Sequence, residues 1–74
     1  MLAYALKVYL LDGYWGYVRL DGCGGFELTK DESTVLCFRT MDELMDFYEE
    51  KVKYGSSNGV AVDTSRTCAV KVNY

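Results

Sequence analysis

The chain has 74 residues, half of them apolar and 26% charged, with a net charge of -3. This is the composition of one small folded domain spanning residues 1–74, not of a disordered or two-domain chain. Histidine and proline are both absent. That excludes His-based catalytic triads and His-ligated metal sites, and the acidic balance argues against a general nucleic-acid binder, which needs a basic surface.

In chain order, residues 2–10 alternate. Leu2, Tyr4, Leu6, Val8 and Leu10 share one face and Ala3, Ala5, Lys7 and Tyr9 the other, the period of a half-buried strand. Residues 14–20 form a second strand, with Trp15, Tyr17 and Arg19 opposed to Tyr14, Gly16, Val18 and Leu20. Register decides the turn between them. A two-residue Asp12-Gly13 loop would set Leu6 opposite Arg19 and put a guanidinium among leucines. A three-residue loop, Leu11-Asp12-Gly13, pairs Leu10 with Tyr14, Tyr9 with Trp15, Lys7 with Tyr17, Leu6 with Val18, Ala5 with Arg19 and Tyr4 with Leu20. It also puts Gly13 at the position that needs a left-handed backbone.

The glycine-rich run at residues 21–25 is a turn, and 26–29 a short strand. A strand over 34–39 is expected to pair with 26–29, as a covered strand with Leu36 and Phe38 on one face and Val35 and Cys37 on the other. Thr40 and Glu43 have capping-box spacing and open a helix predicted from about Met41 to Lys53. Its buried stripe reads Met41, Leu44, Met45, Tyr48 and Val52, and Gly55 is a candidate residue just past its end. Residues 56–59 read as a loop, 60–63 as a short strand, and 67–74 as a final strand with Cys68, Val70, Val72 and Tyr74 inward. The class is α+β: a mainly antiparallel sheet of four to six strands with one helix on one face, in the order β-β-β-β-α-β-β.

Residues 1–11 lack a basic start and Lys7 interrupts their apolar run, so no signal peptide is expected. No segment reaches the roughly 20 apolar residues of a membrane span. Three cysteines are an odd count at spacings that fit no compact disulfide scaffold, so reduced thiols and a cytoplasmic location are expected.

Two surfaces stand out. Tyr9, Trp15, Tyr17 and Arg19 project from the sheet away from the helix, and exposed Trp, Tyr and Arg dominate binding hot spots. The alternative is that these side chains only stabilise the sheet or seal a homodimer. Between residues 21 and 50 there are nine acids and two bases, against two acids and six bases elsewhere. Asp42, Asp46, Glu49 and Glu50 fall on the helix face opposite its apolar stripe. Such a face docks onto cationic proteins, or is simply solvated. A third reading, zinc held by Cys23, Cys37 and Cys68 with Asp21, lacks the paired C-x-x-C knuckles of structural sites. Catalysis is not expected. The Asp21–Gly25 loop lacks the lysine and helix of a phosphate cradle, no histidine can activate a nucleophile, and so small a domain has little depth for a pocket. No cofactor, direct nucleic-acid contact or membrane contact is expected.

The tiny single domain, the sheet with one helix around Thr40–Lys53, and the acids Asp42, Asp46, Glu49 and Glu50 beside exposed aromatics resemble small phage-encoded inhibitors of host defence, in particular anti-CRISPR proteins. The likeness is in size, architecture and charge. It implies a non-enzymatic protein in the host cytoplasm that binds a nuclease complex and occupies surfaces used for guide or target nucleic acid.

Overall fold

The alternating N-terminal segment becomes the axis of the fold. In the computed structural model, which describes residues 2–73, it is strand β1 (Leu2–Tyr9). Then come β2 (Trp15–Leu20), β3 (Phe26–Thr29), β4 (Cys37–Phe38), helix α1 (Met41–Phe47), the hairpin β5 (Ser56–Ser57) and β6 (Val60–Ala61), and β7 (Cys68–Asn73). A 3-10 turn at Glu32–Thr34 precedes β4, and α1 runs directly into a π-helical turn at Tyr48–Val52. The class is α+β, and every strand pairing among the described residues is antiparallel. None of the described helices is long and apolar enough to cross a membrane.

β1 has a neighbour on each edge. β7 pairs with it from Leu2↔Asn73 to Lys7↔Cys68 and fills one edge. The other edge is shared, with β2 taking Lys7, Val8 and Tyr9 while β4 takes Tyr4 and Ala5. β3 lies outside β2, in register from Tyr17↔Thr29 to Leu20↔Phe26, and completes a five-stranded sheet. The first hairpin has the three-residue loop. Tyr9 is opposite Trp15, the Leu10 N–H donates to the Tyr14 carbonyl at 2.8 Å, and Gly13 takes a φ of +94°.

The ladder stops at Lys7↔Tyr17, so the expected Leu6–Val18, Ala5–Arg19 and Tyr4–Leu20 pairs do not form. The Val18 carbonyl, which that ladder would have used, accepts the Leu36 N–H at 2.9 Å instead, and the chain from Leu36 wedges in beside β1. For the same reason the strand expected over 34–39 shrinks to two residues. It pairs with β1 and not with residues 26–29. Asp31 helps to shorten it: its carboxylate accepts the Ser33 N–H at 3.0 Å and starts the 3-10 turn where extended chain was expected.

One face of the sheet, called inner here, carries Leu6, Val8, Leu10 and Val18. With Leu44, Val52 and Val62 they form the buried core. The helix begins where expected, with the Thr40 hydroxyl accepting the Glu43 N–H at 3.2 Å. Its buried stripe is shifted. Leu44 and Val52 are fully buried and Phe47 and Tyr48 pack beside them, whereas Met41 and Met45 stay 41% and 42% exposed. Phe47 takes the inward place because its ring meets Phe38, with centroids 5.4 Å apart. The helix closes in the π turn, with the Lys53 N–H donating to the Tyr48 carbonyl five residues back, and Gly55 has no left-handed backbone.

Two further differences concern the C-terminal third. The expected loop at 56–59 is a hairpin turned on Asn58 and Gly59, with φ of 53° and 79°, the left-handed pair that a two-residue turn requires. β7 lies the other way over from expectation. Partners directly opposite share a face, so Lys7↔Cys68, Ala5↔Val70 and Ala3↔Val72 put Cys68, Val70 and Val72 on the outer face. Ala69 and Lys71 take the inner side, and Cys68 is exposed rather than in the core. Tyr74, also expected inward, lies outside the described residues.

Candidate functional site

The outer face is built around an aromatic ladder. Odd-numbered residues of β1 and β2 point to this side, so Tyr9, Trp15 and Tyr17 are neighbours. Trp15 meets Tyr17 edge-on at 5.7 Å and Tyr9 at 6.4 Å, and all three are half-buried. Cations cap the ladder. The Lys7 ammonium lies 4.3 Å from the indole centroid and 5.3 Å from the Tyr9 ring. Lys30 lies 3.7 Å from the indole, and the Arg66 guanidinium 4.6 Å from the Tyr9 ring. A ring's electron-rich face attracts a cation at such distances. Hydrogen bonding to Tyr9 holds the Lys7 ammonium above its ordinary value. Arg19 joins the same face, but its charge is met by Glu27, its cross-strand partner, at 2.9 Å.

Beside the ladder the face is apolar. Ala3 and Ala5 are 1% and 0% exposed although no helix covers them, because Val70 and Val72 on β7 wall them in from one side. Between these walls lies an open slot of about 520 Å³, lined by Ala5, Tyr17, Val35, Cys37, Val70 and Val72. Glu32 and Ser33 of the 3-10 turn and Lys71 of β7 also line it.

The acids expected as a second surface are on the helix, which packs on the opposite side of the sheet. Asp42, Asp46, Glu49 and Glu50 are all exposed. Glu49 reaches Lys53 at 3.4 Å, and that contact raises the lysine above its ordinary value. The structure therefore brings Tyr9, Trp15, Tyr17 and Arg19 together and Asp42, Asp46, Glu49 and Glu50 together, but not the two groups with each other.

The cysteines do not converge. Cys37 borders the slot, Cys68 sits opposite Lys7, and Cys23 is exposed in the turn before β3. Among the described residues no three His, Cys, Asp or Glu side chains come together to hold a metal ion. The glycine-rich turn is organised by its own acid, since an Asp21 carboxylate oxygen accepts the Cys23 and Gly25 N–H groups at 2.7 and 3.1 Å. Its donors face an anion the chain already supplies, which does not suit a phosphate.

Sequence reading missed Lys30, Arg66, Val35, Val70 and Val72 as members of this face. Lys30 was within reach of it, because it follows Thr29, the partner of Tyr17, but that requires pairing residues 26–29 with β2. Compared with known protein families, curated proteins and solved structures, the chain matches none.

Proposed function

We propose that this chain is a non-enzymatic protein-binding module, and in its most specific form a phage-encoded inhibitor of the anti-CRISPR type that binds a nuclease complex in the host cytoplasm and blocks its access to nucleic acid. The observation that carries this reading is the outer sheet face. Tyr9, Trp15 and Tyr17 stand side by side on a rigid sheet, half-exposed, beside an apolar slot and without a covering helix. Rigid aromatic side chains give large contact areas at little cost in conformational entropy, which is why they dominate binding hot spots. The exposed carboxylates of Asp42, Asp46 and Glu50 add an anionic flank suited to compete for the cationic groove of a nuclease. Because the two surfaces lie on opposite sides of the sheet, a partner meets both only by wrapping round the domain.

Self-association through the aromatic face, the alternative reading, is opposed by charge. A two-fold contact there brings the Lys7, Lys30 and Arg66 cations of both copies into one interface. The test is cleavage of target DNA by a guide-loaded CRISPR nuclease with increasing amounts of the protein. Inhibition is expected to saturate at a fixed molar ratio, to weaken with Trp15→Ala and to be relieved by Asp46→Lys with Glu49→Lys. Undiminished cleavage at large excess, with no co-elution of the two proteins, overturns the inhibitor reading.

A further inference from the structure

We infer that the outer face takes an extended, acidic protein segment bearing one large apolar side chain, which seats in the slot over Ala5 while the carboxylates that follow it lie on Lys7, Lys30 and Arg66. This rests on reading that face as a docking surface, and it names what docks there.

Three observations support it. The first is the shape of the slot. A small residue forms its floor, Ala5 on the central strand, and larger ones its walls, Tyr17, Val35 and Val70, so it accepts a branched or aromatic side chain. The second is charge. Among the described residues the ion pairs are Arg19–Glu27 and Lys53–Glu49, so Lys7, Lys30 and Arg66 hold their charges over aromatic rings with no carboxylate at ion-pair distance, the Asp63 carboxylate feeling Arg66 only from further off. Clustered cations over rings attract anionic groups, whereas the charged residues lining the slot itself are Glu32 and Lys71, which oppose each other. The apolar side chain therefore takes the slot over Ala5 and the acids lie toward Lys7.

The third is spacing. Ala5 and Lys7 lie two residues apart on one face of β1, roughly 7 Å along the strand. An extended chain repeats its side chains on one side at the same interval, so the segment reads apolar-x-acid-x-acid. A nucleic-acid strand suits the face less well. Base stacking needs an open ring, and two ammonium groups already lie over the Trp15 indole. A second copy of the chain meets like charges.

Trp15 is the one tryptophan in the sequence, so its emission reports occupancy of this face directly. The probe is a synthetic peptide with Leu followed by Glu two and four residues later, titrated into the intact protein at low salt. A saturable change in emission is expected, with affinity at least about tenfold weaker when the Glu residues become Lys or the Leu becomes Gly. Lys30→Glu with Arg66→Glu, both exposed positions, is expected to abolish the response while the melting temperature holds. Equal binding by all three peptides overturns the inference, as does tighter binding of an oligothymidine strand or sedimentation of the free protein as a dimer that Trp15→Asp dissociates. If Trp15→Ala removes nuclease binding yet no peptide binds, the docking face stands and this segment chemistry falls. If Trp15→Ala removes no partner, the docking reading falls as well.

Discussion

Asp31 and Asp63 do the same work at two bends of the chain. Each carboxylate accepts both the N–H and the hydroxyl of the serine two residues on, the hydroxyl at 2.7 Å in both cases. These hydrogen bonds hold both acids below their ordinary value of 3.8. The sign follows. The folded protein keeps these groups ionised at a pH where the unfolded chain already binds protons. Their contribution is therefore complete above the ordinary value and is lost as the pH falls from there through their lower folded-state values. The melting temperature is expected to drop on acidification below about pH 4, and Ser33→Ala with Ser65→Ala to flatten that drop. A slope unchanged by the double substitution in melts on either side of that value contradicts the account. Gly16 offers a steric test. A Cβ there would sit 2.9 Å from the Leu28 Cβ and 3.2 Å from the Thr29 nitrogen. Gly16→Ala is expected to cost about 1–3 kcal/mol, as overpacking does, measured by denaturant unfolding.

At the scale of elements, the helix separates capping from packing. Thr40→Ala removes the acceptor for the Glu43 N–H and is expected to cost about 1 kcal/mol. Leu44→Ala empties a fully buried position and is expected to cost about 2–5 kcal/mol, while Met45→Ala, on the exposed side, costs less than about 1 kcal/mol. Equal losses at 44 and 45 in chemical denaturation would restore the stripe read from the sequence. That stripe shows where sequence reading ends. The cap at Thr40 and the turn at Gly13 were legible because a few neighbouring residues decide them. Met45 and Phe47 have similar hydrophobicity and flank Leu44 on opposite sides of the helix, and only the Phe38 ring on the sheet's inner face selects Phe47. β7 failed for a related reason. Its period was clear, but Cys68, Val70 and Val72 point outward because the outer face around Ala3 and Ala5 is itself apolar, and alternation cannot say which of two apolar faces is the core. Of the candidate site, the first-hairpin ladder was legible through its register. The cations from Lys30 and Arg66, and the slot walls, come from distant segments.

At the scale of the molecule, one side of the sheet carries the core and the acidic helix, the other the aromatic ladder and its cations. Substitutions on the two sides are therefore expected to be independent. Trp15→Ala lowers the melting temperature through lost ring contacts to Tyr9 and Tyr17, Asp46→Lys with Glu49→Lys shifts it little, and their effects on binding add. Strong non-additivity in a double-mutant cycle would show one continuous contact instead.

The pairing of Leu2 with Asn73 has a mechanical consequence. The first and last strands run side by side in opposite directions, so a pulling force applied at residues 2 and 73 falls on one end of their ladder. It breaks the cross-links one after another instead of loading them all at once. Stretched between those points, the protein is expected to yield at low tension, with β7 peeling away first and taking one wall of the slot with it.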